Sequence, residues 1–139
     1  MYQLRGKLSI VMPAYNEEAL IYNSIMQTLS IVEQFAPDLE IIAVNDGSKD
    51  KTKQEIERAI RDDAKQPHPV VPGMRVSGTR IKLVTSNKNR GKGNAIISGI
   101  SQAEGNYIAF VDADLELNPA QLELSLIHIS EPTRPRLIS

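Results

Sequence analysis

Four short apolar runs, residues 8–12, 39–44, 81–84 and 107–111, alternate along the chain with three segments of helical periodicity. That alternation constrains the fold more than any other feature. Strands joined by helix-length crossovers assemble into a parallel sheet with helices on both faces. The runs are almost continuously apolar, as strands buried on both sides are, and Pro13 is expected to stop the first. Tyr22, Ile25, Met26, Leu29, Val32 and Ala36 form one helical stripe ended by Pro37, with Asn16 as its expected cap and Glu17 and Glu18 in its first turn. A second stripe, Ile56, Ala59 and Ile60, follows an expected cap at Ser48 or Asp50. The third, Ala95, Ile96, Gly99, Ile100 and Ala103, is broken by Gly105 and Asn106. Residues 65–79 contain Pro67, Pro69, Pro72, Gly73 and Gly78 without periodicity and read as a long surface loop.

In such sheets ligands bind beyond the carboxyl ends of the strands, at a switch in strand order. Those ends carry Pro13-Ala14-Tyr15-Asn16-Glu17, Asp46-Gly47-Ser48 and Asp112-Ala113-Asp114. Asp112 and Asp114, two residues apart where a strand bends into a loop, can converge on one point. Magnesium and manganese favour such oxygens, completing their shell with water and phosphate. Taken alone, the pair reads more readily as solvated turn acids, and the rest of the chain must decide. The G-x-G-x-x-G of dinucleotide folds is absent after the first strand, which argues against hydride chemistry. Arg90-Gly91-Lys92-Gly93-Asn94 lacks phosphate-loop spacing, yet Lys92 at a helix start can meet a phosphate.

The totals narrow the classes further. The 139 residues suffice for at most one ordinary domain, and 41% apolar with 24% charged content is globular. A net charge of -1 argues against binding nucleic acid or anionic membrane by bulk charge. The absence of cysteine excludes disulfides and thiolate metal sites and agrees with a reducing, cytoplasmic setting. No basic segment leads an apolar core at the start, and no stretch approaches ~18 uninterrupted apolar residues, so neither a signal peptide nor a membrane span is expected in these residues.

Four ordered motifs resemble those of family 2 glycosyltransferases with the GT-A fold, most closely the dolichyl- and polyprenyl-phosphate sugar transferases. They are Ser9-Ile10-Val11-Met12-Pro13-Ala14-Tyr15-Asn16-Glu17-Glu18, Val44-Asn45-Asp46-Gly47-Ser48-Lys49-Asp50-Lys51-Thr52, Asn89-Arg90-Gly91-Lys92-Gly93-Asn94-Ala95 and Asp112-Ala113-Asp114-Leu115-Glu116. The resemblance implies a Rossmann-like α/β nucleotide-sugar-binding half, incomplete as a GT-A domain. It implies that Pro13, Ala14, Tyr15 and Glu17 line the donor pocket. Asp46, flanked by Gly47 and Ser48, would bind base or ribose, Asp112 and Asp114 would lie along the diphosphate, and Asp114 would be a principal metal ligand. Asp112, Asp114 and Glu116 would hold Mg2+ or Mn2+. Asn45 departs from the Asp many relatives carry there, leaving the nucleobase open between UDP and GDP. The implied activity is transfer of a hexose from a UDP- or GDP-sugar to an acceptor such as polyprenyl phosphate, at the cytoplasmic face of a membrane. The catalytic base is expected in the part of such domains that follows the D-x-D strand.

Two other classes stay in view. A sugar-phosphate nucleotidyltransferase would carry a Gly-rich basic loop where Ala14 to Glu18 stand. A non-catalytic nucleotide-sugar-binding module would need only the donor half. From residue 124 the text changes character, and residues 124–134 resemble one translated frame of a transposase-type sequencing-library adapter. The expectation is a donor-binding part over residues 1–123, inactive alone, and a non-native tail over 124–139 in which His128 has no role.

Overall fold

The computed structural model describes residues 4–67, 79–114 and 137–138. Strands β1 (Leu8–Ala14), β2 (Leu39–Asp46), β3 (Ile81–Ser86) and β4 (Tyr107–Phe110) alternate with helices α1 (Ile21–Val32), α2 (Thr52–Ala64) and α3 (Lys92–Gln102). A two-residue β5 (Leu137–Ile138) adds to the edge, giving the order β3-β2-β1-β4-β5 with every pair parallel. The expected α/β architecture is therefore present. β5 falls in the stretch read from sequence as a tail and pairs with Ile108 and Ala109.

Alternation along the strands divides the core. Ile10, Met12, Ile41 and Ala43 face one side and pack with Ile21, Ile25 and Leu29 of α1 and Ile56 and Ala59 of α2. Val11, Ile42, Val44 and Ile108 face the other and pack with Ala95 of α3, supported by Ile100 and Ala103. Gly99 is small because α3 lies close to the sheet. A Cβ there would collide with Val11 Cγ1.

Pro13 does not stop β1, which continues through Ala14 in register with Val44 and Asn45. The Val11 carbonyl accepts from Val111 N–H and so points toward β4. Pro13, two residues on, presents its nitrogen on that same side. The β4 ladder has already ended at the Val11–Phe110 pair, so the missing donor removes no ladder bond. The central part of the expected long loop, residues 68–78, lies outside the described residues.

Candidate functional site

β1 lies between β2 and β4, so the order of strands reverses beside it. The carboxyl ends of these parallel strands open into one cleft of about 350 Å3. Pro13, Ala14, Tyr15 and Glu17 enter it from β1 and its loop, and Asp46 from the end of β2. Asn89, Gly91, Lys92 and Ala95 come from the β3–α3 connection and the start of α3, and Asp112, Ala113 and Asp114 from beyond β4.

The loop after β1 is not the helix cap that its sequence suggests. α1 begins at Ile21 with no acid in its first turn, and Asn16 adopts a left-handed backbone with φ 53°. Its amide donates to Ser48 Oγ at 2.9 Å, and its own Oδ1 accepts from Lys49 N–H at 2.9 Å. Glu17 N–H donates to Thr52 Oγ1 (2.8 Å) and Glu18 N–H to Asp50 Oδ2 (3.2 Å). Asp50 also accepts from the Thr52 amide at 2.9 Å, beside the formal cap Lys51. Four cross-loop bonds thus join the first motif to the second, since loop amides near a cleft need partners that helices and strands do not supply.

Asp46 joins the second motif to the third. It is 4% exposed, and its two carboxylate oxygens accept from the Arg90 and Gly91 amides, each at 3.0 Å. Gly47 permits this closure. Its φ is 71°, and a Cβ there would collide with the Lys88 and Asn89 backbone. Gly47 and Ser48 do not line the cleft. They hold the loops that do, Gly47 by letting the Lys88–Asn89 backbone pack against it and Ser48 by accepting from the Asn16 amide.

The acidic segment is pinned from two directions. Val111 N–H donates to the Val11 carbonyl at 3.0 Å, and Ser24 Oγ of α1 donates to the Ala113 carbonyl at 2.5 Å. Ala113 is buried, which sets Asp112 and Asp114 on either side of an anchored residue. Lys92 Nζ stands 2.5 Å from Asp112 Oδ1, while Asp114 is exposed. The Glu17 carboxyl is pushed above its ordinary range by burial, then by the charges of Asp114 and Asp50. Negative potential in this cleft is therefore only partly compensated. Among the described residues no group of three or more His, Cys, Asp or Glu could hold a metal unaided. Glu116 lies outside the described residues.

Two groups of contributors escape a reading by motif. Asn89, Gly91 and Ala95 line the cleft from within a motif whose Lys92 alone drew attention. Ser24 and Thr28 stand on the inward side of α1 beside Ile21 and Ile25, and polar residues at apolar helical spacing were the available signal. Thr28 Oγ1 donates back to the Ser24 carbonyl at 2.7 Å.

Comparison with known proteins gives the family and agrees with the fold. The family model "Glycosyl transferase family 2" matches residues 9–134. An undecaprenyl-phosphate 4-deoxy-4-formamido-L-arabinose transferase of Enterobacter sp. (strain 638) is 34% identical over 116 residues, covering 84% of this chain and 31% of that protein. An uncharacterised glycosyltransferase of Synechocystis sp. is 36% identical over 121 residues, covering 87% and 33% respectively. The chain thus spans about a third of these relatives. Among solved structures, a mannosyltransferase from Pyrobaculum calidifontis in complex with GDP-Man and Mn2+ superposes with TM-score 0.70 at 23% identity, covering 94% of this chain and 34% of that one. S. aureus TarS 1-349 in complex with UDP gives TM-score 0.64 at 26% identity, covering 87% and 31%. With the GT-A arrangement of its sheet and a family match over nearly its whole length, this chain belongs to glycosyl transferase family 2.

Proposed function

We propose that this chain is the donor-binding part of a hexosyltransferase that uses a UDP- or GDP-sugar, with polyprenyl phosphate as the acceptor at a cytoplasmic membrane face. The observation that carries the reading is the meeting of three strand-end segments in one cleft, with Asp112, Asp114 and Lys92 at its mouth. The similar proteins, an undecaprenyl-phosphate sugar transferase, a mannosyltransferase in complex with GDP-Man and Mn2+, and TarS in complex with UDP, support donor, metal and acceptor classes. No described helix is long and apolar enough to cross a membrane.

Asp112 and Asp114 fit a hard divalent cation. Such ions commonly take one or two carboxylates and complete their shell with phosphate oxygens and water, and Asp114 stands exposed at the cleft. A bound Mg2+ or Mn2+ would neutralise the departing nucleoside diphosphate. The chain's own residues do the rest of the donor's handling. Tyr15, 41% exposed at the cleft, offers a ring face to the nucleotide. Asp46 fixes the Arg90–Gly91 turn against it, and Lys92 offers a cation to phosphate oxygens. We assign no base within the described residues.

Titration of UDP-glucose and GDP-mannose with Mg2+ or Mn2+ into the chain, wild type and Asp114→Ala, tests the reading. Metal-dependent binding of one donor by wild type and its loss in the variant are expected, whereas equal binding by both would remove Asp114 from the metal site. We place the donor part in residues 1–123. Re-sequencing the source gene across codon 123 checks that boundary, and an uninterrupted native reading frame there would move it.

A further inference from the structure

We propose that Lys92 is an exchangeable counter-ion that makes cation and nucleotide binding at this cleft mutually dependent. The inference deepens the donor-site reading above and rests on it. Lys92 Nζ lies 2.5 Å from Asp112 Oδ1, so the cleft's cation already occupies one of the two carboxylates offered to a metal. The remaining carboxylate, Asp114, is exposed and makes no three-acid group with its described neighbours.

A divalent cation arriving alone must therefore displace Lys92 from Asp112 and leave the ammonium beside a dication. A diphosphate arriving alone meets a lysine already neutralised, together with the charges of Asp114 and Glu17. Arriving together they exchange partners. The phosphate oxygens take Lys92, and the metal takes Asp112. Each ligand removes the obstacle to the other, which is a coupling free energy and is reciprocal by linkage. Lys92 is free to make the move. It is the first residue of α3, its side chain is 60% exposed, and it follows Gly91 at φ 94°. Asp112 stays in place because its neighbour Ala113 is anchored through Ser24.

The test is Mn2+ affinity measured by calorimetry and by electron paramagnetic resonance, without nucleotide and at saturating UDP or GDP, for wild type, Lys92→Met and Lys92→Arg. An exposed ion pair of this kind corresponds to about two- to fivefold in affinity. Lys92→Met is expected to tighten Mn2+ alone by about that factor while leaving Mn2+ affinity at saturating nucleotide unchanged, so that the coupling falls. Lys92→Arg, which keeps the pair, is expected to follow wild type. Unchanged Mn2+ affinity without nucleotide overturns the exchange. So does an equal gain with and without nucleotide, which is a charge effect at a distance. Failure of UDP and GDP to bind any variant, with Mn2+ alone still tightened in Lys92→Met, overturns the donor reading and leaves the Lys92–Asp112 competition standing.

Discussion

The two ends of the sheet treat charge in opposite ways. At the amino end, Glu40 is 3% exposed and accepts from Ser9 Oγ (2.6 Å) and the Glu104 amide (2.8 Å), with Lys82 Nζ at 3.0 Å and Lys7 Nζ at 4.0 Å from its other oxygen. Arg80, 7% exposed, grips Asp63 through two nitrogens at 3.2 and 2.7 Å and holds Glu33 at 2.8 Å, tying α1 and α2 to the start of β3. At the carboxyl end, by contrast, Asp112 has one exposed lysine and Asp114 stands in solvent. Buried charge must be paired or the fold fails, whereas exposed and partly compensated charge remains available to a ligand. One end of the sheet is organised for stability and the other for binding.

The sharpest way to break this contrast is at Asp63. Asp63→Ala leaves the Arg80 guanidinium short of its bidentate partner in a buried site and is expected to cost about 3–5 kcal/mol in urea unfolding. Donor affinity under conditions where the variant stays folded should not change. A loss below about 1 kcal/mol, the range of exposed pairs, would mean that the amino end is not the stabilising one.

A pH titration sharpens the same distinction. Burial pushes the Glu40 carboxyl up, but the Ser9 hydroxyl, the Glu104 amide, Lys82 and Lys7 outweigh it and hold the group below its ordinary range. A depressed folded value means that the ionised form is favoured by folding. Its contribution is present above the ordinary glutamate value of about 4.3 and is lost as pH falls through the lower folded value. Glu40→Gln should therefore flatten the acid limb of stability against pH. An unaltered acid limb would assign that loss to other carboxylates.

The smallest effect is expected at Ser24, on the binding side. Ser24→Ala removes one hydrogen bond, about 1 kcal/mol, and frees the Ala113 carbonyl between the two acids. Thermal stability should shift slightly while metal-dependent nucleotide affinity weakens several-fold, and Ser24→Thr should restore affinity. Weakened stability with unchanged affinity would make Ser24 part of the scaffold alone.

Much of this arrangement was legible in the residues. Apolar runs and helical stripes announced the strands and helices, because burial imposes those periods directly on sequence. The convergence of Glu17, Asp46, Lys92, Asp112 and Asp114 followed from parallel topology, which gathers the carboxyl ends of strands at one edge. Local rules misled where a residue's partner lay far along the chain. Asn16 and Ser48 have the chemistry of helix caps, yet they bond across loops, 32 residues apart. Asp50 does both, accepting from the Thr52 amide at the start of α2 and from Glu18 across the loops. Pro13 has the chemistry of a strand stop, yet its missing donor falls where β4 no longer pairs.

By itself, then, the sequence determined the alternation of elements, the family motifs and the end of the sheet at which they meet. Only the tertiary structure decided which polar groups face the cleft and which fasten its loops. Gly47 and Ser48 went to the second task, with Ser24 beside them, while Asp46 lines the cleft and latches a turn at once. The physical reason is that a hydrogen bond depends on where its partner sits in space. Composition and periodicity record burial, but they do not record that position.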